Sequence, residues 1–186
     1  MKFKTLLVTS ICPTPLGRLT LAASPAGLAG AWFEGQQHLP PELAGEAAAG
    51  TASIWPAQPS HPVLVEAARQ IGAYFDGRLK DFDLPLDLSA GTAFQQAVWQ
   101  ALRALPRGRT CSYGALSERI GRPAAVRAVG GAIARNPISL IVPCHRVISA
   151  GGALTGYAGG LARKIALLQG EGALPAPPPG APAATF

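Results

Sequence analysis

A chain of 186 residues, 48% hydrophobic and 14% charged, is long enough to bury a sizeable core and too apolar to stay disordered. No uninterrupted apolar run approaches the ~18 residues of a membrane span; three cysteines without a CxxC pair argue against a disulfide framework and for a reducing, cytoplasmic compartment, and three scattered histidines offer no zinc-ligand spacing. The net charge of +6 is concentrated: residues 1–102 balance at −2 and 136–186 at +2, while residues 103–135 carry seven arginines against one glutamate, a local +6 that suits nucleic acid better than a merely solvated face.

The start, "MKFKTLLVTSICPTPLG", places two lysines before an apolar stretch as a signal peptide would. The stretch is short and lacks a small-x-small cleavage site, so it is read as a first strand. "FKTLLVT", "GRLTLAAS" and "LAGAWFEG" then give three strands, with "TPLG" and "SPAG" as the turns between them. Residues 34–60 are rich in Pro, Gly and Ala and are expected to be loop. Ser60 is expected to cap a helix whose stripe is Leu64, Ala67, Ala68, Ile71 and Phe75, and Gly77 to stop it. The composition breaks at "LPLDLSAG" (84–91), which sets an amino-terminal domain at 1–88 and a second at 89–172.

Thr92 and Gln95 fit a capping box for a helix bearing Phe94, Val98, Trp99 and Leu102, ended by Pro106 and Gly108. A short helix follows from about Ser112 to Gly121. Another runs from Pro123, a residue suited to a first helical turn, to about Ile133, so the pair has the helix-turn-helix pattern. On that last helix Val126, Val129 and Ile133 fall within about 60° and should face the core. Opposite them lie Ala124, Ala128 and Gly131, flanked by Arg127. Such a bare face either packs on another helix of the same chain or lets the backbone approach a foreign surface. The arginines, Arg127 and Arg135 included, favour DNA.

Residues 140–150, "LIVPCHRVISA", set Cys144, His145 and Arg146 within a segment patterned for burial. A buried bystander is the ordinary fate of a free cysteine; the alternative is a nucleophile, which needs a group to take its proton. His145 is adjacent, yet neighbours in an extended segment point to opposite faces, so contact with Cys144 requires a turn or an intervening water. Pro143 makes a bend plausible. A carboxylate should orient the imidazole. Beyond residue 87 the acids are Glu118, inside the arginine-rich segment, and Glu171, just past a last helix in "LARKIALLQGEG", which makes Glu171 the better candidate. Between them, "SAGGALTGYAGG" is a glycine-rich loop able to adopt positive φ. The tail from 173 to 186 is Pro/Ala-rich and expected to be disordered.

"PCHRV", preceded by "RNP" and followed by "GYAGG", resembles the 6-O-methylguanine-DNA methyltransferase family, bacterial type. "FQQAVWQALRALPRGRTCSYGALSERIGRP" with "AVRAVGGA" is similar to its DNA-binding half, and "SPAGLAGAWFEG" more loosely to its amino-terminal domain. The resemblance implies an α+β chain: a small ribonuclease-H-like α/β domain of antiparallel sheet and helix, then a mostly helical, winged-helix-like domain with the helix-turn-helix. It implies repair by direct reversal, with one alkyl group moved from the 6-oxygen of guanine to Cys144 after the base is flipped from duplex DNA; the 4-oxygen of thymine stays an open alternative. His145 then matches the base acting through a water, Glu171 its orienting carboxylate, Tyr113 the donor to the departing guanine, and Asn136 the hinge between recognition helix and active site. Arg127 matches the residue filling the gap in a duplex held by its minor groove. The backbone of Cys144 and Val147 matches the part accepting the guanine amine, and Tyr157 with Ala158 the covering loop. Some members carry serine at Ala158, which preserves a backbone contact but not a hydroxyl one. No cofactor, metal or membrane is implied, and a monomer is expected. Members with an amino-terminal zinc use several Cys and His ligands, whereas this half offers Cys12, His38 and His61. A transcription regulator would explain the arginines without Cys144, a cysteine hydrolase would turn over, and a non-catalytic lesion binder would lack the cysteine.

Overall fold

The computed structural model describes residues 2–43 and 55–176. Much of the expected 34–60 loop and the tail from residue 177 lie outside the described residues. β1 (Val8–Cys12), β2 (Leu19–Ser24) and β3 (Gly27–Phe33) form an antiparallel meander in that order, with Val8 opposite Ala23 and Leu19 opposite Phe33. The ladder begins five residues later than the "FKTLLVT" reading. Phe3 leaves the sheet to meet Trp32 and Trp55 edge-on at 6.1 and 5.2 Å, so the apolar residues before Val8 serve packing rather than pairing.

Every residue of β3 is buried, because both faces of the sheet are covered. Leu7, Ala22, Ala29, Trp32, Leu43 and Trp55 close one side. On the other lies α1 (Pro62–Phe75), which buries Leu64, Ala67, Ile71 and Tyr74. His61, not Ser60, is the residue before its first turn and makes no side-chain cap. Pro62 lacks an N–H and its fixed φ suits the first helical position, so the helix starts there. Gly27, at φ 141°, is required: a Cβ would sit 2.3 Å from the Pro85 carbonyl oxygen, which accepts the Leu28 N–H.

That contact shows what residues 84–91 do. They run beside β3, where the Asp87 N–H donates to Leu28 and Ser24 Oγ donates to Asp87 Oδ2 at 2.6 Å. The capping box of Thr92 and Gln95 then opens α2 (Ala93–Arg103), with both reciprocal bonds formed. α3 (Tyr113–Arg119), capped by Ser112, is joined through Gly121 (φ 69°) to a 3-10 turn (Pro123–Ala125) and α4 (Val126–Ala134). Because the first turn is 3-10, with three residues per turn, Val126 is rotated off the buried face and is 39% exposed. Val129, Ala132 and Ile133 are the residues that pack inward. α2 holds α4 through Trp99 Nε1, which donates to the Ala132 carbonyl at 2.9 Å. Two-residue strands β4 (Cys111–Ser112) and β5 (Val147–Ile148) pair in parallel, and α5 (Leu161–Gly170) closes the chain. One hydrophobic cluster runs from Leu19, Leu21 and Ile71 through Leu84 and Leu88 to Trp99, Val129 and Leu167. No described helix is long and apolar enough to cross a membrane.

Candidate active site

The chain leaving α4 is gripped by the amino-terminal sheet. The Ala31 N–H donates to Pro137 and the Ser139 N–H donates to Ala31, so residues 137–139 lie along β3 as a partial fourth strand. Gln36 Oε1 accepts from both the Phe33 N–H and Ser139 Oγ. Leu140 then takes a left-handed φ of 72°, an unfavourable conformation for a branched side chain and one that persists only where surroundings impose it. Beyond Pro143 the chain turns again, and Cys144–Arg146 form a single 3-10 turn, all three residues buried. The bend that Pro143 made plausible is therefore present; the Cys144 side chain meets Asn136, while those of His145 and Arg146 both meet Glu171.

Cys144 Sγ accepts a hydrogen bond from Asn136 Nδ2 at 3.1 Å. The same amide donates to the Val142 carbonyl at 2.8 Å, and Asn136 Oδ1 accepts the Ile138 N–H, so one buried side chain joins the end of α4 to the sulfur. Burial pushes the Cys144 thiol up. The Asn136 amide, the Lys164 ammonium and the backbone N–H groups of Cys144 and His145 work against that, favouring the thiolate. The His145 imidazole, wholly buried, makes no direct hydrogen bond to the Cys144 sulfur. Its Nε2 lies 3.0 Å from Glu171 Oε1. Burial lowers the imidazole's pKa against the pull of Glu171, so the ring is neutral. Burial would raise the Glu171 carboxyl, but hydrogen bonds and charge from His145 and Arg146 outweigh it and hold the group well below the usual carboxylate range. An ionised carboxylate only accepts, so the ring proton sits on Nε2. That leaves Nδ1 as the basic nitrogen, buried and without a hydrogen-bond partner among the described residues.

Local patterns did not reveal the groups that complete this arrangement. Arg146 Nε and Nη2 clamp Glu171 at 2.8 and 2.7 Å while Nη1 donates to the Leu105 carbonyl at 2.5 Å. Tyr74 Oη donates to Glu171 Oε1 at 2.8 Å. Lys164 is fully buried, with Nζ donating to the carbonyls of Val147, Thr155 and Gly156 at 2.6, 2.7 and 3.2 Å; burial lowers its pKa to about 8. The Val147 carbonyl, matched above to a contact with the guanine amine, is thus already bonded to an ammonium. An arginine and a lysine within apolar stretches were the available signals, since burial of either demands partners.

Cys144 lies at the wall of a cleft of about 310 Å³, together with Tyr113, Gly130, Ile133, Ala134, Tyr157, Ala158 and, from the other half of the chain, Gln37. That volume falls at the lower end of ligand pockets, roughly 300–1,000 Å³. Tyr157 stands edge-on to His145 at 6.4 Å between ring centroids, and the Ala158 carbonyl accepts the Gln37 N–H. Outside the cleft, Ala124, Arg127, Ala128 and Arg135 are exposed and Gly131 half-buried, so among the described residues the bare face of α4 does not pack on another helix. The structure thus brings Cys144, His145, Glu171, Asn136, Tyr113, Tyr157 and Ala158 together and puts the α4 face beside them. Cys12 and Cys111 are free thiols outside the cleft.

Comparison with known proteins agrees with this geometry. Residues 7–88 match the sequence model of the 6-O-methylguanine DNA methyltransferase ribonuclease-like domain, and residues 93–173 that of the family's DNA binding domain. A methylated-DNA–protein-cysteine methyltransferase of Mycobacterium tuberculosis is 46% identical over 158 residues, covering 85% of this chain and 88% of the relative. One from Mycobacterium leprae is 56% identical over 113 residues, 61% and 68% of the two chains. The crystal structure of the Mycobacterium tuberculosis protein OGT in complex with DNA superposes with a TM-score of 0.77 at 44% identity, covering 88% of this chain and 92% of that one. With both halves matched and that identity extending over most of its length, the chain belongs to the 6-O-methylguanine DNA methyltransferase family.

Proposed function

We propose that Cys144 of this chain takes the alkyl group from the 6-oxygen of guanine in duplex DNA and keeps it. The observation that carries the reading is a cysteine sulfur at the wall of a ligand-sized cleft, hydrogen-bonded by Asn136 and backed by a neutral His145 whose tautomer Glu171 dictates. In the step the thiol proton passes, through a water, to the free Nδ1 of His145. The sulfur displaces the base from the alkyl carbon, a C–S bond forming as the C–O bond breaks. The guanine gains a proton as its 6-oxygen becomes a carbonyl, with the Tyr113 hydroxyl donating to the departing base, so the net transfer is from thiol to guanine. A thioether is not reversed by any group in this site, so each molecule acts once.

A stacked base cannot reach the buried sulfur, so the nucleotide must leave the duplex, at a cost of a few kcal/mol. Arg127, exposed at the first turn of α4, is the residue placed to fill the gap. The small side chains of Ala124, Ala128 and Gly131 let α3 and α4, acting as a helix-turn-helix, approach the minor groove, with Arg135 on the phosphates. We assign the DNA-binding and acceptor parts to residues 89–172 and the supporting part to 1–88. A monomer in the cytoplasm, where free thiols persist, fits the three unpaired cysteines.

Incubation with a duplex bearing one 6-O-methylguanine should add about 14 Da, one CH₂, to the peptide containing Cys144 in one-to-one yield. Repeated turnover, or the mass on another peptide, would refute the reading. In the same assay Arg127→Ala should slow duplex repair about tenfold or more, a share of the extrusion cost, while attack on free benzylated guanine changes little. Equal losses on both substrates would argue against a role in extrusion.

A further inference from the structure

We propose that Tyr74 is a positioning residue of the acceptor site, supplied by the amino-terminal half: by donating to Glu171 Oε1 at 2.8 Å it sets how strongly that carboxylate binds the His145 imidazole. The inference rests on the proposed roles of Cys144, His145 and Glu171. It starts from the crowding on one oxygen. Oε1 receives Arg146 Nη2 at 2.7 Å, Tyr74 Oη at 2.8 Å and His145 Nε2 at 3.0 Å, whereas among the described residues Oε2 receives only Arg146 Nε. The imidazole has the longest of the three bonds, on an acceptor two other donors already share. A carboxylate with less charge to offer stabilises imidazolium less, which keeps His145 neutral and able to take a proton.

Packing alone does not call for a hydroxyl at this position. The Tyr74 ring meets Phe75 edge-on at 5.2 Å, stacks on Phe82 at 5.3 Å and lies under the Arg107 guanidinium at 4.8 Å, contacts that phenylalanine would keep. A buried hydroxyl costs stability unless bonded, so its presence points to its acceptor. Burial and the neighbouring Glu171 raise the phenol's pKa well above its ordinary value, so it remains a donor throughout the working range. The charged and titratable groups around the pair are few: Arg107 and Arg146 beside Tyr74, Arg146 and Lys164 toward His145, and Tyr157 and Cys144 across the cleft.

In Tyr74→Phe, Oε1 keeps two donors and holds imidazolium more tightly. The acidic limb of the alkyl-transfer rate should move up by about half a pH unit or more. At the pH of the wild-type half-maximum the rate then falls roughly twofold or more, with the plateau nearly unchanged. The His145 ring resonances, followed by NMR in a Cys144→Ala background, should titrate upward by the same amount, a readout that does not require alkyl transfer. A fluorinated tyrosine incorporated at position 74, a stronger donor with the same packing, should move both readouts the other way. Unmoved titrations in both proteins, or a rate lowered by one factor at every pH, would overturn the proposal. A shifted NMR titration in a protein that never transfers an alkyl group would leave the coupling standing and refute the acceptor reading instead.

Discussion

Cys144→Ser should lose alkyl transfer by at least about 10³-fold while still binding DNA. Only the deprotonated atom attacks carbon here, and burial raises the pKa of the Cys144 thiol, an effect that the Asn136 amide, Lys164 and two backbone N–H groups only partly offset. A serine hydroxyl, far less acidic, remains protonated in the same surroundings. The fold should survive, because the serine oxygen can accept the Asn136 amide in place of sulfur. Duplex affinity should survive too, since the exposed face of α4 is untouched. Mass analysis should show no alkylated peptide, and a gel-shift titration should match wild type within about twofold. Transfer within tenfold of wild type would remove Cys144 as the acceptor.

Glu171→Gln should be the most damaging single change for stability. It leaves the Arg146 guanidinium buried without its counter-charge: the amide oxygen can keep the donors of Oε1, but the N–H₂ then faces Arg146 Nε, a donor against a donor. Removing one partner of a buried ion pair costs about 3–5 kcal/mol, which for a chain of this size lowers the melting temperature by roughly 10 °C. The sign of the pH dependence follows from the direction of the shift. Glu171 is held below its unfolded value, so it stabilises the fold above about pH 4 and the contribution fades as acid protonates it. The gap in melting temperature between wild type and Glu171→Gln should therefore be widest near neutrality and narrow below about pH 4. Transfer should slow by about 10²-fold or more, because a neutral amide no longer supports the positive charge that His145 takes on with the thiol proton. A gap independent of pH would show that Glu171 is not ionised in the folded protein.

The legible parts of this chain were those set by neighbours in sequence. The Thr92–Gln95 capping box, the turn at Gly121 before Pro123, and the end of the last helix at the glycines around Glu171 are local chemistry, and each lies where its residues imply. Glu171 was also accessible by scarcity, as one of two acids late in the chain. Errors arose where tertiary contacts decide. Pro62 starts the helix and moves the cap position from Ser60 to His61, the 3-10 turn rotates Val126 outward, and the aromatic cluster draws Phe3 out of the sheet. Tyr74 lies outside the helical stripe read from the sequence, and no spacing can name an acceptor 97 positions away. Lys164 and Arg146 stood in plain view as charges in apolar stretches, yet their partners are loop carbonyls and one distant carboxylate.

The hydrophobic cluster that passes without interruption through Leu84 and Leu88 has a mechanical consequence. Where two family descriptions meet, near residue 90, the folded molecule has no joint. The half bearing no nucleophile nonetheless acts as its anvil: β3 clamps residues 137–139, Gln37 steadies the loop over the cleft, and Arg163 on α5 reaches back to the Leu16 carbonyl. A load on α4 thus meets packing shared with the sheet rather than a flexible hinge, and the segment that carries the sulfur is braced by β3.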